Sequence, residues 1–274
     1  MFLGHVNDFE EGTYTPIEQL DNKYVLIKAN GRYNIVSNVC PHQKSIISVN
    51  AGKGNRVCPY HNWSFTLEGA PIKSGRTEYY CKNETALEEL PVYEWNGFLS
   101  TVPIACKELE FVDLTNLKLV EKRIDPVSAI PENIMDLFLD VDHIATIHAG
   151  VYEQIGLPNI DKVEWVYYDH GSLQLVQNHT GYGAAWLAIY PGTMIEWQPG
   201  AVFITIAIRN GVHSSKVVVY KYKDLASSDK NYSLNQDVWE TAWAQDKEQS
   251  QMLTEFAQTN LEESKYHFRS FLNR

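Results

Sequence analysis

The chain has 274 residues, of which 44% are hydrophobic and 21% are charged, values that are ordinary for a protein with one large or two modest cores. Its formal net charge of −11 leaves no basic surface for neutralising phosphates, which excludes nucleic-acid binding as the main function. No apolar run reaches the roughly 18–20 residues of a membrane span, and residues 1–16 lack the apolar centre of a signal peptide. We therefore expect a cytoplasmic protein without membrane contact.

The first hundred residues predict short β-strands separated by tight turns. Segments 24–29 and 32–37 have strand-like composition, and the Asn-Gly pair at 30–31 between them is a strong hairpin signal. A second Asn-Gly pair, at 96–97, predicts another hairpin. We therefore expect an all-β unit and place it at residues 1–103.

The pattern changes after Pro103, and we place a second unit at residues 104–274. An apolar stretch from Pro131 to His148 predicts one helix, and Gln236–Phe271, free of proline and glycine, predicts another. Strands are predicted at Leu117–Lys122, Val163–Tyr168, Ser172–Gln177, Ala185–Tyr190, Ala201–Ile208 and Lys216–Tyr222. The second unit is therefore expected to be α+β, an antiparallel sheet with helices at its ends and on one face.

Two short segments of the first unit each combine a cysteine, a proline and a histidine. They are Cys40-Pro41-His42 and Cys58-Pro59-Tyr60-His61, separated by fifteen residues. A zinc site with two cysteines and two histidines uses the same ligand types, but zinc sites more often pair Cys with Cys and His with His. Mixed pairs favour a [2Fe–2S] cluster in which one iron takes both cysteines and the other both histidines. Zinc remains the alternative interpretation.

The predicted helix at 131–148 contains a second candidate metal site, Asp140-x2-His143-x4-His148. Two histidines near a carboxylate suit the triad of non-heme Fe(II), which leaves coordination positions open. Residues five apart in an ideal helix lie about 140° apart around its axis. His143 and His148 therefore converge only if the helix widens or if His148 lies beyond its end. Judged alone, two unrelated histidines in an apolar helix are the better interpretation of this motif.

Together, the two motifs resemble those of the Rieske non-heme iron oxygenases, the aromatic ring-hydroxylating dioxygenase α-subunit family. The segment from His61 to Phe65, HNWSF, is similar to the family's H-G-W-x-F, and the resemblance runs from Val25 to about Gln251. The sequence departs from the family at Gln43-Lys44, where Arg-Gly is usual, and at Asn62, where glycine is common.

The resemblance implies two metal cofactors. It implies a [2Fe–2S] cluster with the ligands Cys40, His42, Cys58 and His61. It further implies a mononuclear Fe(II) bound by His143 and His148, and a bridging role for Asp140 between that iron site and His61 of a neighbouring subunit. Both cofactors would then serve one redox reaction.

The third iron ligand in the resembled family is a carboxylate on a late helix. Asp246, in the sequence QDKEQSQ, is the nearest match, and Glu240 and Glu248 are alternatives on the same predicted helix. Four aromatic residues could line an apolar cavity, although aromatic residues on strands are more often plain core. They are Tyr182, Trp186, Trp197 and Phe203.

The resemblance implies a terminal oxygenase that activates O2 and hydroxylates or demethylates a small, mainly apolar or aromatic substrate. Electrons are expected from an external reductase or ferredoxin, because no glycine-rich nucleotide-binding loop follows a predicted strand. The family also implies a head-to-tail homotrimer. The alternative function is an electron-transfer protein with a non-catalytic C-terminal binding domain. A zinc-stabilised interaction protein, the third hypothesis, predicts a colourless preparation.

Overall fold

The chain divides into two units, Met1–Lys107 and Glu108–Arg274. The structure is a computed structural model that describes residues 1–72, 85–104, 114–157, 163–178 and 181–259. The boundary predicted from the sequence, between 103 and 104, lies four residues earlier in the chain. The predicted combination of an all-β unit with an α+β unit is confirmed.

In its described part, the first unit consists of short antiparallel strands. They are β1 (Phe2–His5), β2 (Thr13–Pro16), β3 (Tyr24–Ala29), β4 (Arg32–Ser37), β5 (Gly52–Lys53), β6 (Arg56–Val57), β7 (Ser64–Phe65), β8 (Pro71–Ile72), β9 (Glu89–Leu90), β10 (Tyr93–Trp95) and β11 (Phe98–Ser100). The strands form a five-stranded sheet in the order β5-β2-β3-β4-β9 and two three-stranded sheets, β1-β11-β10 and β6-β7-β8. Both predicted hairpins are confirmed, and each Asn-Gly pair has the positive φ angles that a tight hairpin turn requires.

The second unit contains one large antiparallel sheet. Its strands are β12 (Leu117–Val127), β13 (Val163–Tyr168), β14 (Gly171–Asn178), β15 (Gly181–Ile189), β16 (Thr193–Gln198), β17 (Ala201–Arg209) and β18 (Ser215–Asp224). The seven strands lie in the order β12-β18-β17-β16-β15-β14-β13. All strands predicted for this unit are present, whereas the sequence pattern alone does not separate β16 from β15.

Two helices, α1 (Pro131–Leu139) and α2 (Asp229–Thr259), contact each other and the central strands of this sheet. Apolar side chains from the sheet and from both helices form a shared core that includes Met135, Trp186 and Val238. Helix α2 begins seven residues before the predicted start at Gln236, and its predicted end at Phe271 lies outside the described residues. Neither helix combines the length and apolar character that crossing a bilayer requires.

The predicted continuous helix from Pro131 to His148 is wrong in its second half. Helix α1 ends at Leu139, because Asp140 has an extended backbone with φ −87° and ψ 95°. The Asp140 carboxylate accepts a hydrogen bond of 3.0 Å from the Asp142 backbone N–H, and this contact caps a separate 3₁₀ turn at Val141–Ala145. An aspartate that caps a new turn competes with continuation of the helix.

Candidate functional site

The two Cys-His segments of the first unit form loops that close in the same way. The Lys44 N–H donates to the Cys40 carbonyl at 2.9 Å, and the Asn62 N–H donates to the Cys58 carbonyl at 3.0 Å. Lys44 and Asn62 both have left-handed backbones, with φ of 57° and 58°. These are the positions at which the resembled family usually has glycine, and the left-handed turn explains that preference.

The four candidate cluster ligands are brought together at the tips of these loops. Cys40 and Cys58 are each 1% exposed, and neither forms a disulfide bond. The imidazole rings of His42 and His61 lie 4.6 Å apart between centroids, and His42 stacks on Trp63 at 4.9 Å. Burial raises the pKa of the Cys40 thiol, and the neighbouring Cys58 raises it further. Two adjacent thiols and two adjacent imidazoles are a donor set that fits the cluster or zinc.

The second unit brings together three side chains that are distant in sequence. The His143 and His148 Nε2 atoms lie 3.0 Å apart, and Asp246 Oδ1 lies 3.4 Å and 3.0 Å from them, respectively. His143 lies in the 3₁₀ turn and His148 lies beyond it, so the two histidines do not share a continuous helix. This geometry removes the 140° separation that an ideal helix would impose.

The spacing of these three atoms fits a metal ion. Two ligands about 2.1 Å from an ion and at right angles to each other are themselves about 3.0 Å apart. Asp246 Oδ1 has no hydrogen bond although it is buried, and three acceptor atoms at this distance repel one another without a cation. His143, His148 and Asp246 therefore suit a divalent cation.

Neighbouring groups orient the two imidazoles. The His148 Nδ1–H donates to Gln245 Oε1 at 2.7 Å, which leaves Nε2 without a proton in the neutral ring. Burial lowers the pKa of His143, but the proximity and charge of Asp246, with further contributions from Asp140, outweigh burial and raise it. Burial raises the pKa of Asp246, and the contacts of both histidines outweigh that effect and lower it.

Helix α2 determines which of the three candidate carboxylates reaches the histidines. Its buried residues include Tyr232, Trp239 and Asp246, which lie seven residues apart and therefore on one face of the helix. Glu240 instead forms ion pairs with Arg123 and Lys221, and Glu248 is exposed. Asp246 is therefore the carboxylate that the fold brings to the histidines.

Asp140 and two residues that the motifs did not indicate complete the description of the site. Asp140 is exposed, and its position relative to a neighbouring subunit stays a prediction. Sequence reasoning missed Gln245, which had no signal beyond preceding Asp246. It also missed Glu196 on β16. Its pKa is raised to about 7, mainly by burial and also by the charge of Asp246, although the Trp239 hydrogen bond opposes both.

Two of the four aromatic residues proposed to line a cavity are buried near this site. Trp186 packs in the core with Tyr152, at 5.7 Å between ring centroids, and Phe203 stacks on Trp239 at 5.1 Å. Trp197 follows Glu196 along β16, so it points to the opposite face of the sheet from Glu196. The side chain of Tyr182 lies outside the described residues.

Comparison with known proteins identifies the first unit. Residues 1–91 match the family model described as "Rieske [2Fe-2S] domain". The match includes all four candidate cluster ligands, and it confirms the predicted [2Fe–2S] cofactor over the zinc alternative.

Curated relatives extend the similarity into the second unit. Putrescine 2-hydroxylase from Ralstonia nicotianae is 22% identical over 251 residues, which cover 78% of this chain and 66% of that protein. The carnitine monooxygenase oxygenase subunit from Acinetobacter pittii is 24% identical over 62% of this chain and 53% of its own length. Choline monooxygenase from Amaranthus tricolor is 33% identical over 34% of this chain and 21% of its own length. The chain thus spans about two thirds or less of each of these relatives.

Solved structures share the fold over nearly the whole chain. The quaternary ammonium Rieske monooxygenase CntA in complex with L-carnitine aligns with a TM-score of 0.61 and 17% identity, covering 93% of this chain and 77% of that one. Naphthalene 1,2-dioxygenase with indole bound aligns with a TM-score of 0.59 and 14% identity, covering 94% and 75%. These alignments include both units and show that the chain shares this fold.

Proposed function

We propose that the chain is a Rieske non-heme iron oxygenase α-subunit and acts as the terminal oxygenase that hydroxylates or demethylates a small organic substrate. The observation that carries this proposal is the convergence of His143, His148 and Asp246 within 3.0–3.4 Å in a chain that also has a Rieske domain. An electron carrier needs no such second site, because the cluster alone performs electron transfer.

The metal ligands are assigned from the two constellations. The cluster would be held by Cys40, His42, Cys58 and His61. The mononuclear iron would be held by His143, His148 and Asp246, the arrangement of two histidines and one carboxylate that leaves coordination positions open. When bound, the iron supplies a redox-active centre for the activation of O2 with electrons from the cluster.

The chain's own residues hold this site in place and keep bulk water away. Gln245 fixes the ring orientation and tautomer of His148 through its Nδ1–H. The Tyr152 ring lies 5.8 Å from that of His148, and Trp186 packs against Tyr152 in a buried cluster, so that these rings provide an apolar wall of the site. The peptide chain around Asp140 turns sharply, and this turn allows His143 to face His148.

The electron route is the part of the proposal that involves partners. Asp140 and His61 are both exposed, and we assign them to a contact between the iron site of one subunit and the cluster of the next in a homotrimer. An external reductase or ferredoxin would reduce the cluster. A cytoplasmic location follows from the same scheme, because such donors are soluble proteins.

Metal analysis of the purified protein tests the proposal directly. The wild-type protein should contain about three irons per chain, two in the cluster and one mononuclear. Asp246→Ala should contain about two irons, retain the electron paramagnetic resonance signal of the reduced cluster, and form no product with O2. Glu248→Ala, an exposed carboxylate on the same helix, is the matched control and should behave as wild type. Two irons in the wild type, or three in Asp246→Ala, would contradict the proposal.

A further inference from the structure

A row of side chains crosses the sheet of the second unit on the face that carries α2. Gln174, Trp186, Glu196, Phe203 and Lys221 lie opposite one another on neighbouring strands from β14 to β18. Directly opposed residues of antiparallel strands point to the same face of a sheet. All five are at most 6% exposed, and three of them carry polar or charged groups other than an indole. Such groups are rarely buried without a partner.

At one end of the row, the charges are neutralised within the chain. The Lys221 ammonium forms an ion pair of 2.7 Å with Glu121 and another with Glu240. The Arg123 guanidinium binds both carboxylate oxygens of Glu240, at 2.6 Å and 2.9 Å. These two cations are therefore fully engaged with carboxylates other than Glu196.

Glu196 has no such counter-ion. Its Oε2 accepts a hydrogen bond of 2.6 Å from the Trp239 indole N–H, which fixes the direction of the carboxylate. In the part of the chain that the structure describes, no ion pair or hydrogen bond involves its Oε1. His148 lowers the pKa of Glu196, but its imidazole would be a neutral ligand in the proposed iron site and so would supply no counter-charge.

The neighbours of Glu196 in the row also carry unused polar atoms. The Trp186 indole N–H and the Gln174 Oε1 atom are buried, and neither has a hydrogen-bond partner in the described residues. Trp186 contacts Tyr152, whose ring lies 5.8 Å from that of His148. The unused groups therefore lie on the side of Glu196 that leads towards the iron ligands.

The pKa of Glu196 is consistent with the absence of a cationic partner. Burial raises the pKa of Glu196 to about 7, and the negative charge of Asp246 adds to this effect. A buried carboxylate with a cationic partner behaves in the opposite way, because an opposite charge within a few ångströms favours ionisation. Within the described residues, the Glu196 carboxylate is therefore held by the Trp239 hydrogen bond and has no cationic side chain paired with it.

We propose that Glu196, Gln174 and Trp186 form the recognition site for a small protonated amine, with the ammonium group against Glu196 Oε1. Gln174 Oε1 is a second acceptor for the ammonium, and the faces of Trp186 and Tyr152 suit a cation. The Trp186 N–H remains available to an oxygen atom of the substrate. This inference rests on the proposed function, and it replaces the apolar or aromatic substrate expected from the family with a cationic one.

Binding measurements with matched cationic and neutral probes test the inference without turnover. The cations are n-butylamine and cyclohexylamine, which are protonated at neutral pH, and their neutral counterparts are 1-butanol and cyclohexanol. Calorimetric titration into the iron-loaded full chain should show at least one cation binding roughly tenfold or more tightly than its counterpart, the size expected for a charge-assisted contact. Glu196→Gln keeps an acceptor for the Trp239 N–H but loses the negative charge. In this variant the ratio of the two affinities, cation to neutral counterpart, should fall to about one. Glu132→Gln, at an exposed ion pair with Arg209, should keep the preference.

The outcomes separate this inference from the proposed function. Equal binding of the two members of both pairs, absence of binding by either cation, or an unchanged preference in Glu196→Gln would each overturn the amine site. Glu196→Asp retains the negative charge and should retain the preference for the cation. A retained preference would show that substitution at this position does not by itself unfold the protein. Iron content, measured on the same samples, reports on the proposed function alone, so a protein with about three irons and no preference would contradict only the amine site.

Discussion

Two residues of the cluster loops have a backbone conformation that side chains disfavour. Lys44 and Asn62 occupy the left-handed region, which costs a residue with a Cβ atom about 1–2 kcal/mol, although asparagine tolerates it better than lysine. Lys44→Gly removes this cost and adds an entropic one of about 0.5–1 kcal/mol. We therefore expect Lys44→Gly to raise the free energy of unfolding by about 0.5 kcal/mol. Thermal unfolding followed by the visible absorbance of the cluster measures the change.

The control for this substitution is Lys118→Gly. Lys118 is exposed on β12, and its φ is not positive, so glycine brings only the entropic cost there. We expect Lys118→Gly to lower the stability by about 0.5–1 kcal/mol. If both glycine variants lose stability equally, the left-handed φ of Lys44 carries no energetic penalty.

Gln245 affects the iron site without touching the metal position. Because its Oε1 accepts the His148 Nδ1–H, Gln245→Leu should free the ring to rotate and to change tautomer. Loss of such a supporting contact typically lowers metal affinity by about 10- to 100-fold. Competition with a coloured chelator measures that affinity, while the signal of the reduced cluster should stay unchanged. Gln249→Leu, one turn further along α2, should bind iron as wild type, and equal losses in the two variants would argue against the orienting role.

The raised pKa of Glu196 predicts a pH dependence of stability in the iron-free protein. The folded-state pKa is about 7, above the ordinary value of 4.5, so the folded state binds the proton more tightly than the unfolded state. Protonation of Glu196 therefore stabilises the folded state. This contribution is fully present below about pH 4.5 and is lost as pH rises through 7, at up to about 1.4 kcal/mol per pH unit. The charge of Asp246 raises the pKa of this carboxylate, and the charge of His148 lowers it.

Comparison with Glu196→Gln isolates the contribution of this one carboxylate. The variant lacks the titrating group, so its stability relative to wild type should rise between pH 5 and pH 7 and then remain constant. Denaturant unfolding of both proteins at several pH values, after removal of iron with a chelator, gives the difference directly. A difference that does not vary with pH would mean that Glu196 titrates in its ordinary range.

At the scale of elements, α1 and α2 show what a helical pattern in the sequence does and does not predict. The apolar stretch after Pro131 predicts a helix correctly, but composition does not reveal that Asp140 ends it by capping the next turn. In α2, by contrast, the seven-residue spacing of Tyr232, Trp239 and Asp246 is visible in the sequence. That spacing places Asp246 on the buried face and favours it over Glu240 and Glu248 as the third ligand.

The contact between α2 and the edge of the sheet depends on one buried cation. Lys221 is almost fully buried between Glu121 and Glu240, and its ammonium also lies 5.5 Å from the centre of the Trp239 ring. Lys221→Ala would remove the cation that neutralises the carboxylates of Glu121 and Glu240 beside α2. Breaking a buried pair by removing one partner costs about 3–5 kcal/mol, and the partial exposure of Glu121 and Glu240 reduces the loss to a few kcal/mol.

Chemical denaturation at neutral pH measures this loss. The control is Lys23→Ala, which removes an exposed ion pair with Asp21 and should change stability by about 0–1 kcal/mol. Unfolding of Lys221→Ala at the same denaturant concentration as Lys23→Ala would show that the buried network contributes nothing to the docking of α2.

At the scale of the whole molecule, local patterns and long-range pairings differ in how far they can be predicted. The cluster ligands lie in two short motifs, and the hairpins follow from Asn-Gly pairs, so both are visible in contiguous sequence. Glu196 gains its position from two strand pairings that bring Trp186, Glu196 and Phe203 into one row. The buried position of Glu196 could not be predicted from its residue type, because an isolated glutamate on a strand is ordinarily a surface residue.

The proposed electron route makes the activity a property of the assembly and not of one chain. If electrons pass from the cluster of one subunit to the iron of the next through Asp140, a chain without a cluster and a chain without mononuclear iron should restore activity when they assemble together. Cys58→Ser removes a cluster ligand and His148→Ala removes an iron ligand, so each homo-oligomer should be inactive. Co-expression of the two variants should recover product formation, whereas mixing after separate purification should recover less, because subunits must exchange first.

Asp140 provides the decisive variant of that experiment. Its carboxylate is exposed and contributes one capping hydrogen bond, whose loss costs only about 1 kcal/mol, so Asp140→Ala should leave the iron content and the cluster signal largely unchanged. In a single turnover with substrate and O2, the reduced cluster of Asp140→Ala should remain reduced, and the product yield should fall at least about tenfold, since a misplaced relay disrupts the geometry on which transfer depends. Asp142→Ala, an exposed neighbour, should transfer electrons normally. Full oxidation of the cluster in Asp140→Ala, or failure of the co-expressed variants to recover any activity, would rule out a route across the subunit boundary through this residue.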